Sequence, residues 1–390
     1  MQGVTVSRLF DLSVPGCPVC VCAGVLAPDE RGHVRIVSGR GLSPAEAEAR
    51  CLAEAAERSL AVWDEERPVL RAALSEMPAP AVDPRQLVLL SEDQYSRREA
   101  WNAAVPADHH WPAPIDPGRP LDWVEARSIT GGEPVLVPAA CCFLGFPAAL
   151  EQGFAVPDSS GLAAGKSVED ATGRALLELV ERDAVAVWWY NRLKRPPLDF
   201  DRDHRPWLSV FEDHLGASGR SVWTLDLTHD LGVPVAAAVS SDQAGRDLAL
   251  GFGAGWTAEE AVTASLGELV QFEASKRLQT AGGPLDLVTL ARTGSLDDFP
   301  FLVPHADAPV QPPGPGSTAG VVEALAEQGL AAFIVDLSRG SWFVVRVVVP
   351  GLRPLWPRFA PGRLSDVPHR LGWTAGPAHE ASFNPVPILY

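Results

Sequence analysis

The strongest constraint on this chain is a pattern that occurs three times. A Gly is followed two residues on by Ser or Thr, then by an acidic helix start, and later by two spaced acidic or amide side chains. The first copy is Gly41-Leu42-Ser43-Pro44-Ala45-Glu46-Ala47, leading to Cys51, Glu54, Glu57 and Arg58. The second is Gly165-Lys166-Ser167-Val168-Glu169-Asp170-Ala171, leading to Ala175, Glu178, Glu181 and Arg182. The third is Gly255-Trp256-Thr257-Ala258-Glu259-Glu260-Ala261, leading to Ser265, Glu268 and Gln271. The offsets from Gly are the same in every copy, so one supersecondary unit is reused along the chain.

Each copy reads as a capped helix. Ser43, Ser167 and Thr257 are N-cap candidates, and Glu46, Asp170 and Glu260 stand where a capping box needs them. Ala, Leu and Glu fill the helix bodies. Hairpin signals precede the helices: Phe10 to Ser13 with Pro18 to Val21, Val124 to Thr130 with Pro134 to Val137, and Trp223 to Thr228 with Pro234 to Val239. A fourth hairpin, Phe333 to Ser338 with Trp342 to Val349, has no acidic helix after it. The expected fold class is α+β: repeated β-hairpin-plus-helix units, forming antiparallel sheets packed with helices. A second helical region is expected over about Leu60 to Leu74, bent at Pro68. Pro-rich connections near 104–120 and 304–317 punctuate the chain. The helix copies span both halves, so residues 1–390 are expected to form one composite domain.

The repeated acids carry the chemistry. Residues i and i+3 share a helix face, and residues seven apart return to nearly the same angle. Glu54, Glu178 and Glu268 therefore lie above Ala47, Ala171 and Ala261, with Cys51, Ala175 and Ser265 nearby. One such helix would read as an ordinary surface. Three at one offset, each over small residues, read as a cleft whose carboxylates hold Mg²⁺, a hard cation that usually bridges protein carboxylates to substrate phosphates. Arg58, Arg182 and Arg346 could then meet phosphate oxygens.

The formal net charge of −17 disfavours nucleic acid and anionic membrane as non-specific partners. It leaves room for a nucleotide in one locally positive pocket. The start, Met1 to Asp11, carries no signal-peptide pattern. Cys17-x-x-Cys20-x-Cys22 has no second ligand pair, so these cysteines read as small apolar residues of a buried strand, Val19 to Val25, with free thiols in a cytoplasmic protein. Ser160 to Ser167 nearly matches a P-loop, but Ser160 stands where that motif requires Gly. His109-His110 reads as exposed loop.

Together these residues resemble the YcaO superfamily over roughly residues 5 to 390. The likeness is strongest in Ser159-Ser160-Gly161-Leu162-Ala163-Ala164-Gly165, in Ala175 to Asp183, and in Trp188-Trp189-Tyr190-Asn191-Arg192. Glu54-Ala55-Ala56-Glu57-Arg58 is similar to the first acidic motif, Glu268 to Gln271 to the third, and Val345 to Leu352 to a late strand carrying a phosphate-binding Arg. The resemblance implies an ATP- and Mg²⁺-dependent enzyme that phosphorylates a peptide backbone amide. The products would be azolines, macroamidines or thioamides; a non-catalytic scaffold is the rival reading. It implies Glu54, Glu57, Glu178 and Glu181 as metal ligands. Those four, with Arg58, Asp170, Arg182, Glu268, Gln271 and Arg346, would contact ATP. No catalytic side chain is singled out. The implied partner is a precursor peptide, with a leader-binding protein or a second YcaO protein, in a homo- or heterodimer, or with the enzyme acting alone. Three departures stand out: Cys51 replaces the usual Ser, the tail carries only Pro385 and Pro387, and 390 residues leave no room for a fused leader-binding domain.

Overall fold

In the computed structural model, the described residues are 4, 6–27, 35–78, 80–105, 110–146, 158–198, 206–280, 294–314 and 316–388. The three motifs fold into the long helices α1 (Pro44–Leu60), α2 (Val168–Asn191) and α3 (Ala258–Thr280). Their starts are near-identical. The side-chain oxygens of Ser43, Ser167 and Thr257 each accept from the backbone N–H three residues on, at 3.2 Å in every copy. The carboxylates of Glu46, Asp170 and Glu260 accept from the amides of Leu42, Lys166 and Trp256 at 3.0, 2.9 and 2.7 Å. Each reciprocal cap stabilises its helix by about 1 kcal/mol.

The expected hairpins are present, and each unit holds a third strand that directly feeds its helix. β1 (Val6–Asp11), β2 (Cys20–Leu26) and β3 (Ile36–Gly41) form one antiparallel sheet in that order. In the middle unit the strands are β5 (Pro120–Ser128), β6 (Val135–Pro138) and β7 (Leu162–Gly165). β8 (Arg220–Asp226), β9 (Val235–Asp242) and β10 (Ala249–Ala254) form a second three-stranded sheet. β3 and β10 are rich in Gly, which hides them from a reading based on β-branched runs. The packing requires that Gly. A Cβ on Gly39 would stand 2.2 Å from the Ala47 oxygen and the Cys51 nitrogen, and one on Gly251 would stand 2.3 Å from Ser265 oxygen and Leu269 nitrogen. Helix backbone thus lies directly on strand backbone. The small residues predicted from the wheel, Ala47 with Cys51, Ala171 with Ala175 and Ala261 with Ser265, are all buried.

The middle unit departs from the other two. β11 (Phe333–Asp336) and β12 (Phe343–Val348), the hairpin without its own helix, insert between β5 and β7. With β4 (Leu70–Ala73) at its edge, the resulting sheet runs β4-β5-β11-β12-β7, with β6 paired to β5. Its edge corrects one expectation. Leu60 to Leu74 is not a second helix: α1 stops at Leu60, and β4 (Leu70–Ala73) pairs antiparallel with β5. Pro68 cannot donate to a helical ladder, and β5 offers this segment a free edge.

All six cysteines are free thiols, with Cys22 and Cys51 buried as small apolar residues. Cys51 Sγ lies 3.8 Å from the Val37 oxygen, and burial pushes its thiol up to about 12. It therefore packs under α1 against β3. Among the described residues, no helix is long and apolar enough to cross a membrane.

α2 passes from an amphipathic first half, with Ala171, Ala175, Leu176 and Val180 buried, to a second half where Ala184 to Tyr190 are all buried. Asp183 marks the change. It is fully buried and accepts from Arg353 N–H at 2.8 Å and Arg363 Nη2 at 2.6 Å, with His229 Nε2 at 2.9 Å. Asp230 takes the other side of Arg363, at 2.8 Å, and also meets Arg370. This network fastens the segment Leu352 to Arg370 to α2. Beyond it, the tail is held by Trp189 Nε1 donating to Val386 oxygen and by Asn384 N–H donating to Tyr190 oxygen, each at 2.7 Å.

Candidate active site

The first repeated glutamate does the same work in each unit. Glu54 Oε2 accepts from Ser38 N–H at 2.8 Å, Glu178 Oε2 from Gly161 N–H at 3.0 Å, and Glu268 Oε2 from Phe252 N–H. Each thereby locks its helix to the chain just before it. The second position instead reaches the next unit. Glu57 Oε1 accepts from Ala164 N–H on β7 at 2.7 Å. Gln271 accepts from Arg40 Nη1 at 2.8 Å and donates to Ser38 Oγ at 2.5 Å, both on β3. Glu181 lies within electrostatic reach of Glu268. The first unit leans on the second, the second on the third, and the third on the first. α1 touches β7, α2 touches β10 and α3 touches β3 in the same cyclic sense.

This ring gathers Glu54, Glu57, Glu178, Glu181 and Glu268, and their charges are imperfectly matched. Burial pushes the Glu57 carboxyl up to about 8, and the charges of Glu178 and Glu54 add to it while the Ala164 N–H opposes it. Burial also pushes Glu181 up to about 8, aided by Glu268 and Glu178 and opposed by Arg182 and Arg40. Carboxyls held protonated by desolvation and like charge are a donor set short of a cation. Among the described residues, no three His, Cys, Asp or Glu form a closed metal cage. Mg²⁺ keeps several waters and usually takes one or two protein carboxylates plus substrate phosphates. The ring offers carboxylate oxygens, the donor type that ion takes.

Arginines border the ring. Arg58 Nη2 stands 3.3 Å from Glu54 Oε1, and Arg182 Nη2 stands 2.7 Å from Glu178 Oε1. Arg182 also lines a pocket with Ser160, Leu179, Arg346 and Trp356. The Arg346 guanidinium is fixed there by the oxygens of Asp158 at 2.7 Å and Cys141 at 2.8 Å.

Asp170 stands apart. Its carboxylate caps α2 and pairs with Arg174 at 3.2 Å, as Glu46 caps α1 and pairs with Arg50. It lies two turns before Glu178, roughly 12 Å away by helical rise. The P-loop likeness also dissolves: Leu162 to Gly165 is the strand β7, hydrogen-bonded to β12. His110 Nε2 lies 3.2 Å from Val105 oxygen, whereas His109 is outside the described residues. Sequence reasoning missed Ser38 and Arg40, which meet Gln271. Their signal was faint: two polar residues alternating with Gly39 and Gly41 just before the first motif.

Comparison with known proteins places the fold. A family model described as YcaO cyclodehydratase, ATP- and Mg²⁺-binding, matches residues 38–353. A solved heterocyclase in complex with substrate and cofactor superposes with a TM-score of 0.90 at 32% identity, covering 99% of this chain and 55% of that one. The chain thus spans little more than half the length of that heterocyclase. YcaO from Methanopyrus kandleri bound with AMPPCP and Mg²⁺ gives a TM-score of 0.64 at 25% identity, covering 90% of this chain and 86% of that one. An uncharacterized protein of Methanothermobacter thermautotrophicus is 29% identical over 371 residues, 90% of each chain. The chain belongs to the YcaO cyclodehydratase family of ATP- and Mg²⁺-binding enzymes.

Proposed function

We propose that this chain uses ATP and Mg²⁺ to activate a backbone amide of a ribosomally made precursor peptide, closing an azoline ring. The observation that carries the reading is the ring of half-buried carboxylates, two of them raised by desolvation and like charge, beside an arginine-lined pocket. When bound, Mg²⁺-ATP supplies the phosphoryl group that turns the amide oxygen into a leaving group. A Cys, Ser or Thr side chain of the peptide adds to the carbonyl carbon, and its proton is lost. The resulting oxyanion forms an O–P bond to the γ-phosphorus as the bond to ADP breaks. Phosphate then departs with the C–O bond, and loss of the amide proton leaves C=N.

No protein nucleophile is required, because phosphoryl transfer is governed by positioning and charge neutralisation. Glu54, Glu57, Glu178 and Glu181 would hold the metal, and Glu57 and Glu181 would have to give up their protons to do so. Arg58, Arg182 and Arg346 meet phosphate oxygens, and Glu268 and Gln271 complete the ring. An azoline is favoured over a macroamidine by the likeness to a heterocyclase at a TM-score of 0.90. A leader-binding partner, or a second YcaO protein, would present the peptide.

The test incubates candidate peptides with enzyme and Mg²⁺-ATP. Each ring formed removes the mass of one water and releases one phosphate. Glu178→Gln should lower peptide-stimulated phosphate release by about 10²–10³-fold. Full release by that variant would remove Glu178 from the site. A mass gain of sulfur minus oxygen, with a sulfur donor present, would make the product a thioamide. An absence of calorimetric binding of AMPPCP with Mg²⁺ would leave a scaffold.

A further inference from the structure

The pocket beside the carboxylate ring has two kinds of wall. Arg182, Arg346, Arg353 and Arg358 make a cationic one, and Leu87, Val88, Leu179, Leu352 and Trp356 an apolar one. The function proposed above gives the cationic wall its work and leaves the apolar wall unexplained. The two meet on α2, where Leu179 and Arg182 stand three residues apart and share a helix face. Trp356 is 36% exposed although it is a large apolar side chain. Its one polar group is engaged, Nε1 donating to Asp158 Oδ2 at 3.3 Å, so the rest of the indole can make only apolar contacts.

This wall is built from two chain segments that are tied together. Gly351 N–H donates to Gln86 oxygen and Ala360 N–H to Leu89 oxygen, each at 2.9 Å. Gln94 is fully buried and grips the later segment: its Nε2 donates to Pro357 oxygen at 2.9 Å, and its Oε1 accepts from Phe359 N–H at 2.8 Å. A wall fixed before a ligand arrives discriminates by shape at little ordering cost.

The chemistry names the occupant. The carbonyl oxygen that takes the phosphoryl group belongs to the residue preceding the ring-forming Cys, Ser or Thr. In a peptide the Cβ of that residue is two bonds from the carbonyl carbon, about 2.5 Å away. No other unreacting side chain of the substrate is tied so closely to the reacting bond. We infer that Leu87, Val88, Leu179, Leu352 and Trp356 form a subsite for the side chain just before the ring-forming residue, and that it selects an aliphatic or aromatic one. The inference rests on the function proposed above. A carboxylate at that position would meet hydrocarbon beside an incoming phosphoryl group, and is disfavoured by desolvation and by like charge. Glycine fits there but buries nothing.

The probes are acetyl-X-Cys-amide dipeptides with X as Leu, Phe, Gly or Asp. Calorimetry in the presence of AMPPCP and Mg²⁺ reads their affinity. The Leu and Phe probes should bind at least about 10-fold tighter than the Gly and Asp probes. The reversed probe, acetyl-Cys-Leu-amide, should lose that advantage, because its Leu follows the Cys. In Leu87→Ala and Trp356→Ala the ratio of Leu to Gly affinity should fall toward one. Leu87→Lys should raise the Asp probe above the Gly probe, which a merely structural role of Leu87 would not do. The comparison of probes on the unaltered protein stands even where a variant fails to fold. Equal affinity for every X, tightest binding of the Asp probe, an equal advantage for the reversed probe, or no binding of any probe at millimolar concentration overturns the inference. Any of these results together with water loss from precursor peptides leaves the proposed function standing. If precursor peptides lose no water with Mg²⁺-ATP, the proposed function falls and the inference with it.

Discussion

Glu181 and Asp183 are neighbours on α2, yet their surroundings push them in opposite directions. For Asp183, burial would raise the carboxyl, but Arg363 and His229 outweigh it and hold the group well below the usual carboxylate range. For Glu181, burial is reinforced by Glu268 and Glu178, and the carboxyl rises to about 8. One carboxylate is saturated by cations from its own chain. The other faces more negative charge. Saturated buried charge is what a fold uses as a clasp, and unsaturated buried charge is where a ligand must bring what is missing. The arginine pocket shows a milder contrast of the opposite sign: Arg363 is paired with both Asp183 and Asp230, whereas Arg358, on the pocket wall, has its Nη1 buried without a hydrogen-bond partner among the described residues.

The hardest blow to this comparison is at the clasp. Asp183→Ala strands Arg363 and His229 and should destabilise the protein by about 3–5 kcal/mol, read from urea unfolding. A loss below about 1 kcal/mol would mean that the network is not saturated as described.

A gentler test uses pH. The folded Glu57 and Glu181 keep protons that the unfolded chain releases above its ordinary carboxyl value of 4.5. The folded state therefore binds more protons, and stability falls as pH rises from about 4.5 to about 8. Without nucleotide and metal, the denaturation midpoint should drop across that window. Converting both residues to Gln should flatten the slope. An unchanged slope would place them in water rather than in a crowded ring.

The smallest effect concerns Asp170. As a helix cap, Asp170→Ala should cost about 1 kcal/mol of stability and leave the affinity for AMPPCP with Mg²⁺ unchanged. A loss of affinity at full stability would place Asp170 in the nucleotide site, as the family resemblance implies.

Much of this was legible in sequence because it is local. A cap and the acids down one helix face are separated by fixed chain offsets, and the helical period turns offsets into geometry. The same locality misled over Leu60 to Leu74, where a helical composition became the edge strand β4. It also hid β3 and β10, whose glycines look like breakers until a helix is laid across them.

The ring could not be read at all from one dimension. Nothing in the chain says that Glu57 meets Ala164, or that Gln271 meets Ser38, 233 residues earlier. The same holds for the pocket that joins Ser160 to Arg358. Sequence alone determined the unit, its caps, its acids and the family. Tertiary structure alone decided which of the buried charges are matched, because burial and the approach of distant charges set that balance, and neither is a property of neighbours along the chain.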